Sequence, residues 1–236
     1  MTNTEMKQEF LILYDKITNF DAPGYEDVEI SVFLTKAQER VVLSHIRSLG
    51  NKYQEGFEES EIRRKELNEL VRGVTITTPS ATQTNSLPNG VFYDLPDDFL
   101  FAISEEITTA STDSCKNGVR LMVKPTTHDE LVINTRNPFK KPSILRYAWR
   151  VDYSDGKHEL ITDASFSVAE YHLRYLKTLR PIVIGANTVD GAAGPLDCEL
   201  NNILHKRIID EAVKIATGIT DPEKYQIKNI EQQAGE

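Results

Sequence analysis

The sequence predicts an α+β protein in which amphipathic helices at both ends of the chain flank an antiparallel β region. Over residues 1–73, and again over 197–218, apolar residues recur with the period of a helix packed on one face. Over 74–184 apolar and polar residues alternate instead, as they do in strands buried on one side. We therefore expect a helical bundle, made of N-terminal helices and a returning C-terminal helix, with the β region inserted between them.

Three amphipathic helices are predicted in the N-terminal segment. The first is indicated by apolar residues at helical spacing, Phe10, Leu13, Tyr14 and Ile17. The second begins at Thr35 and Gln38, which have the spacing of a capping box, and ends at Gly50, a residue type common after helix C-termini. The third covers about 57–72, where acidic and basic residues four positions apart favour a helix.

The β region contains alternating segments separated by polar turns. The clearest strand places five apolar side chains on one face, Leu145, Tyr147, Trp149, Val151 and Tyr153. Asp155 and Gly156 then predict a hairpin turn into residues 158–161. Residues 77–90 are polar and predict a long loop.

The C-terminal part is predicted to contain a loop, a helix and a tail. Residues 185–196 are rich in Gly and Ala without periodicity, which indicates a flexible or partner-ordered loop. Asp197 is a good N-cap for the last helix, whose buried stripe ends before Gly218. Residues 219–236 form a polar C-terminal tail, which we expect to dock on an adjoining protein.

Composition and charge argue against several classes of protein. No stretch reaches the length of a membrane span, and the N-terminus lacks the pattern of a signal peptide, so we expect no membrane association. The net charge of −9 argues against a protein whose main task is to grip nucleic acid. Cys115 and Cys198 lack paired spacing, which favours two reduced thiols.

No motif predicts a catalytic, cofactor or metal site. Residues 128–130, His-Asp-Glu, hold three possible metal ligands, but adjacent side chains point in different directions. Their place after Thr126 or Thr127 indicates the capped start of a helix. Asp97 and Asp98 follow a proline, which is typical of a turn between strands. We therefore expect a protein that is not an enzyme and binds no cofactor.

One basic and aromatic cluster is a candidate for binding a partner. It lies in 134–142 and continues downstream, and its candidate contact residues are Arg136, Phe139, Lys140, Lys141, Arg146 and Arg150. These side chains could bind phosphates or an acidic partner. The alternative is a solvated loop whose charges protect an exposed β edge from aggregation.

The order of elements and several stretches of sequence resemble the head–tail connector or neck ring proteins of crAss-like tailed bacteriophages. The stretches are 9–15, 22–25, 29–39, 57–59, 95–100 (Leu-Pro-Asp-Asp-Phe-Leu), 137–142 (Asn-Pro-Phe-Lys-Lys-Pro), 171–176, 180–182 and 205–212. Together they span about 9–216. The motifs are structural and aromatic, and the resemblance carries over no catalytic residue.

The resemblance implies a structural virion protein, one subunit of an adaptor ring of twelve copies at the head–tail neck. Its expected partners are copies of itself, the portal protein and other neck or tail ring proteins. Genomic DNA would pass through the ring without sequence-specific binding, and assembly would take place in the host cytoplasm.

Two other functions remain open at this point. The first is a tail accessory or receptor-contacting protein that uses the aromatic residues Tyr147, Trp149 and Tyr153 for recognition, which burial of Trp149 would weaken. The second is a phage enzyme that uses residues such as Asp97 or His128.

Overall fold

The computed structural model describes residues 1–18, 24–46, 61–81, 86–153 and 156–220. The helices within these residues are α1 (Asn3–Thr18), α2 (Asp27–Ile46), α3 (Glu61–Leu67), α4 (His128–Arg136) and α5 (Asn202–Thr220), and a 3-10 turn at Asn68–Leu70 follows α3. The strands are β1 (Val71–Ile76), β2 (Gly90–Asp94), β3 (Phe99–Ala110), β4 (Arg120–Pro125), β5 (Tyr147–Tyr153), β6 (Lys157–Ile161), β7 (Ser167–Lys177), β8 (Thr188–Val189) and β9 (Ala192–Ala193). The predicted α+β class is confirmed.

The chain divides into two compact units. The helical unit comprises Met1–Leu70 and Leu179–Glu236, and the sheet unit comprises Val71–Thr178. No helix in the described ranges is long and apolar enough to cross a membrane. Some predicted features fall outside the described residues, namely Gly50, the start of the third helix at 57–60, Asp155, the tail residues 221–236 and the side chain of Ile17.

The core of the helical unit forms where α1 and α2 pack against α5. Apolar residues at helical spacing supply it, including Met6, Phe10, Tyr14, Ile30, Leu34, Ala37, Val41, Leu204, Ile208, Ala212, Val213 and Ala216. The ring of Tyr25 lies 5.0 Å, between centroids, from both Tyr14 and Phe33. Each large apolar side chain buried in this way contributes about 1.5–3 kcal/mol of transfer free energy.

Three polar side chains of α2 are buried and bind an extended backbone segment. Ser31 Oγ accepts a hydrogen bond from the Ile184 amide at 3.0 Å, and Thr35 Oγ1 accepts one from the Ile182 amide at 3.1 Å. The Gln38 side-chain amide donates to the carbonyl oxygen of Arg180 at 2.9 Å. The predicted capping box at Thr35 and Gln38 is therefore wrong, because α2 begins at Asp27 and both residues lie inside it.

The segment before α5 also differs from the prediction. The carboxylate of Asp197 accepts a hydrogen bond from the backbone amide of Asn3, at the start of α1, at a distance of 2.7 Å. At α5 itself, Asn201 Oδ1 accepts from the Ile203 amide at 3.2 Å. Within the predicted loop, β8 and β9 form a short antiparallel hairpin. The flexibility of that loop stays a prediction.

The sheet unit contains a curled seven-stranded sheet in the order β1-β7-β3-β4-β5-β6-β2. The neighbouring strands are antiparallel except for β4 and β5, which are parallel. This pair corrects the purely antiparallel prediction, and its physical reason is that α4 carries the chain back between the two strands. The core under the sheet contains Tyr93, Ile107, Leu121, Val123, Ala148, Leu160, Phe166, Tyr171, Leu173 and Tyr175.

Candidate interaction surface

Helix α4 begins where the sequence predicts. The hydroxyl of Thr127 caps it by accepting a hydrogen bond from the Glu130 amide at 3.3 Å. Asp129 and Glu130 occupy the first turn, where negative charge interacts favourably with the positive end of the helix dipole. No residue of α4 is fully buried. Val132 and Ile133 instead remain 60% and 71% exposed. The helix therefore presents apolar side chains to solvent.

The turn segment between α4 and β5, residues 137–146, is held by its own hydrogen bonds. Asn137 Oδ1 accepts from the Phe139 amide at 3.0 Å, the guanidinium of Arg146 donates to the Phe139 carbonyl oxygen, and the Tyr147 hydroxyl donates to the Lys140 carbonyl oxygen at 3.0 Å. Phe139 is nevertheless 78% exposed. The turn backbone thus has several local hydrogen-bond partners, while the aromatic side chain faces solvent.

We name the exposed large apolar and basic side chains of α4 and of the turn segment the crossover surface. Its members are Val132, Ile133, Arg136, Phe139, Lys140, Lys141, Leu145 and Arg146. Leu145 is 90% exposed, although the predicted strand places it on the buried face, because β5 begins only at Tyr147. Apolar and basic side chains are thus mixed on one continuous stretch of chain.

The basic residues of the crossover surface form no ion pair with a carboxylate in the described part of the chain. Arg136 lies in the last turn of α4, where a positive charge is favourable for the helix dipole. Lys140 and Lys141 are exposed. These charges are available to an acidic partner, and five of the six predicted contact residues lie on this surface: Arg136, Phe139, Lys140, Lys141 and Arg146.

The sixth predicted contact residue, Arg150, lies elsewhere. Its side chain is 11% exposed and pairs with the carboxylate of Glu105 through Nη1. Its Nε lies 2.8 Å from Asp152 Oδ1. The sequence could not show this pairing because Glu105 is far from Arg150 along the chain.

Arg150 belongs to a buried polar network in the sheet unit. The hydroxyl of Tyr171 donates to Glu105 Oε1 and lies 2.8 Å from His158 Nδ1. On the other side of the imidazole, His158 Nε2 lies 3.3 Å from Asp152 Oδ1. Burial raises the pKa of Glu105, an effect that the Arg150 guanidinium partly opposes. Burial and the same guanidinium lower the pKa of His158 to about 4. The imidazole is therefore neutral at pH 7.

A groove of about 510 Å³ lies beneath α4. Leu131 and Val132 of α4 form one wall, and Trp149 and Ile161 line it from β5 and β6. Its further lining residues are Leu87, Pro88, Asn89, Thr135, Arg136, Lys141, Pro142, Thr162, Asp163 and Ala164. Sequence reasoning missed this groove, since its lining comes from four separate stretches of the chain, 87–89, 131–142, 149 and 161–164.

Trp149 itself is only 3% exposed, as a member of a small cluster with Val151 and Ile161. This burial weakens the hypothesis of a recognition surface built on the aromatic residues of β5.

The remaining candidate residues occupy structural positions. The predicted turn at Asp97 and Asp98 is confirmed, and the Asp98 carboxylate accepts a hydrogen bond from the Tyr175 hydroxyl at 2.8 Å. His128 Nε2 lies 3.1 Å from the backbone carbonyl oxygen of Asp152. Among the residues that the structure describes, no group of three His, Cys, Asp or Glu side chains is placed to hold a metal ion.

Comparison with known proteins defines the class. Residues 1–224 match the family model of phage tail ring protein 3/4, and the chain belongs to this family. Membership implies a structural role in a tail ring and makes the chain a virion component.

Two proteins of Bacteroides phage crAss001 are similar to it. Ring protein 4/5 is 30% identical over 227 residues, which cover 92% of each chain. Ring protein 3 is 28% identical over 221 residues, which cover 92% of this chain and 95% of the relative. The resemblance to ring proteins of crAss-like phages is thus confirmed.

Proposed function

We propose that this chain is a subunit of an oligomeric neck ring that joins the portal and head of a crAss-like phage to its tail and surrounds the DNA channel. The observation that carries the proposal is the similarity to two ring proteins of one phage, which extends over nearly the whole length of this chain and of each relative. A ring of twelve copies, stacked on the portal or on another ring protein and assembled in the host cytoplasm, is part of the proposal.

A closed ring requires heterologous contacts, in which two different faces of each subunit meet. We assign one of these faces to the crossover surface, since it exposes apolar side chains together with basic side chains that form no ion pair with a carboxylate of the described residues. An exposed apolar patch rimmed by polar residues is typical of an interaction site. The helical segments would form one bundle, and the sheet unit would be an insertion that presents this face.

The charge of the chain suits a channel for DNA. With a net charge of −9, the subunit would not hold phosphates at many points, and DNA could slide past without sequence-specific binding. The basic residues of the crossover surface would then be neutralised in a protein contact and would not face the lumen. A role as a virion subunit without enzymatic activity follows from this proposal.

The molar mass in solution tests the proposal. Light scattering on the purified chain, alone and mixed with the portal protein of the same phage, should show a ring of about twelve copies, either closed by the chain alone or added to the portal. A stable monomer or dimer indifferent to portal and to other ring proteins would contradict the proposal and favour an accessory binding protein.

A charge-reversal variant tests the assignment of the face. Lys140→Glu with Lys141→Glu should reduce assembly at least about tenfold while leaving the fold intact, because both lysines are exposed. The matched control is Lys36→Glu with Lys206→Glu, the same change of charge at exposed helix positions. Equal loss of assembly in both variants would show that only overall charge matters.

A further inference from the structure

We infer that the groove beneath α4 receives residues 221–236 of a neighbouring copy of this chain. The inference rests on the proposed ring and gives one of its contacts a specific occupant. It combines three observations: an apolar groove with a basic rim, an acidic overall charge, and a C-terminal segment that carries both apolar and acidic residues.

The groove has the chemistry of a peptide-binding site. Its volume of about 510 Å³ is within the range of roughly 300–1,000 Å³ that is common for ligand sites. Leu131, Val132, Trp149 and Ile161 provide apolar walls. Val132 is 60% exposed, so covering it removes apolar surface from water.

The basic residues at the rim of the groove favour a negatively charged ligand. Arg136 and Lys141 line it, and neither pairs with a carboxylate in the described ranges. Asp163 is the acidic residue among the lining side chains. Lys140 and Arg146 add further positive charge on the adjoining crossover surface. An apolar segment that also carries carboxylates would satisfy both the walls and the rim.

Residues 221–236 match this requirement. The segment contains three large apolar residues, Tyr225, Ile227 and Ile230. Its acidic residues outnumber its basic ones, with Asp221, Glu223, Glu231 and Glu236 against Lys224 and Lys228. It follows α5, which ends at Thr220. In an extended conformation its 16 residues would span as far as roughly 50 Å.

Docking between copies accounts for a closed ring more simply than docking within one chain. A segment donated by each subunit and a groove offered by each subunit are two different faces, which is what a head-to-tail contact requires. Because each copy donates its C-terminal segment and offers its groove, the same contact repeats around the ring, and every groove receives one segment.

The tryptophan on the groove wall provides a direct binding measurement. Trp149 is the single tryptophan of the chain, and the segment contains none, so its fluorescence reports on the groove alone. A synthetic peptide of residues 221–236 is titrated into a full-length tail variant, Ile227→Asp with Ile230→Asp, whose own segment no longer competes. We expect a saturable change in Trp149 emission.

The groove variant is Val132→Asp, and its matched control is Ile203→Asp. The two apolar side chains are 60% and 62% exposed, but only Val132 lines the groove, whereas Ile203 lies in α5 outside the crossover surface. In the tail-variant background, Val132→Asp should weaken peptide binding at least about tenfold, since it puts a charge on an apolar wall, and Ile203→Asp should change it less than about twofold. No peptide binding, or equal loss in both variants, would overturn the inference.

A mixing experiment separates docking between copies from docking within one chain. The groove variant Val132→Asp keeps its segment, and the tail variant keeps its groove, so each should stay monomeric alone. Mixed, they should form a 1:1 pair in light scattering, because one intact contact can form between them. If the peptide binds but the mixture stays monomeric, the segment docks on its own chain and the inference is wrong.

Assembly of the wild-type chain tests the proposed function, and peptide binding to the groove tests this inference. If the wild-type chain assembles with portal while the peptide fails to bind the groove, the proposed function stands and this inference falls. If the wild-type chain never assembles, the proposed function falls whatever the peptide does. Binding of a different ring protein to the groove in place of the peptide would also overturn the inference.

Discussion

Helices α5 and α4 use apolar residues in opposite ways. On α5, a stripe that includes Leu204, Ile208 and Ala216 is fully or almost fully buried against the other helices of its unit. On α4, no residue is fully buried, and Val132 and Ile133 lie largely in solvent. The apolar stripe of α5 is needed for folding, while the exposed side chains of α4 contribute little to it.

The contrast separates stability from assembly within one chain. Exposed large apolar side chains contribute little to the fold of the subunit, and an exposed apolar patch beside charged residues is typical of an interaction site. We therefore expect substitutions in α5 to change stability and those on the crossover surface to change assembly.

The largest effect is expected for Ile208→Ala. Ile208 is fully buried, and removing its side chain leaves a cavity in the core of the helical unit, which should lower the free energy of unfolding by about 3 kcal/mol. The matched control, Ile133→Ala, should change it by less than about 0.5 kcal/mol. Urea denaturation followed by circular dichroism measures both values, and similar losses would break the distinction between the two helices.

Acid should destabilise the sheet unit through His158. Its folded-state pKa is about 4, below its ordinary value of 6.5, so the unfolded chain binds this proton more readily between the two values. The contribution of the neutral imidazole to stability is complete above pH 6.5 and is lost progressively as the pH falls towards 4. Glu105, whose pKa is raised, opposes this loss because the folded state takes up its proton more readily.

Unfolding free energies measured from pH 7 to pH 4 isolate the contribution of His158. The variant His158→Gln should lose less stability over this range than the wild type. An unchanged pH slope in His158→Gln would contradict the role assigned to this imidazole.

A somewhat smaller effect is expected for Gln38→Leu. The variant leaves the Arg180 carbonyl oxygen without the hydrogen bond from Gln38, at a cost of about 1–2 kcal/mol. Glu39→Gln, at the exposed neighbouring position, should stay within about 0.5 kcal/mol of the wild type. Thermal unfolding compares the two. A neutral Gln38→Leu would show that burial of Leu compensates for the lost hydrogen bond.

Local signals in the sequence predicted local structure well. The cap at Thr127, the turn at Asp97 and Asp98 and the alternating strand around Trp149 all depend on neighbours within a few residues. Periodicity gave the α+β class for the same reason, since it reports which face of an element is buried.

Long-range pairing explains where the prediction was wrong. Thr35 and Gln38 have the sequence pattern of a helix start, yet they bind backbone groups about 145 residues away. Rules based on neighbouring residues cannot predict contacts at this sequence separation. Asp197 likewise binds the start of α1 and not the helix that follows it.

The candidate site was predictable only in part. Five of its residues share one exposed stretch, so composition was enough to single them out. Arg150 looked equivalent in sequence, but the fold pairs it with Glu105. The groove could not be predicted, because it exists only where α4 passes over β5 and β6.

Hydrogen–deuterium exchange on the free subunit and on the assembled ring tests the central claim most directly. If the crossover surface is a ring contact, backbone amides in 128–146 should exchange more slowly in the ring, while amides in the buried part of α5 remain equally slow in both states. A ring that forms with unchanged exchange over 128–146 would contradict the assignment of this surface.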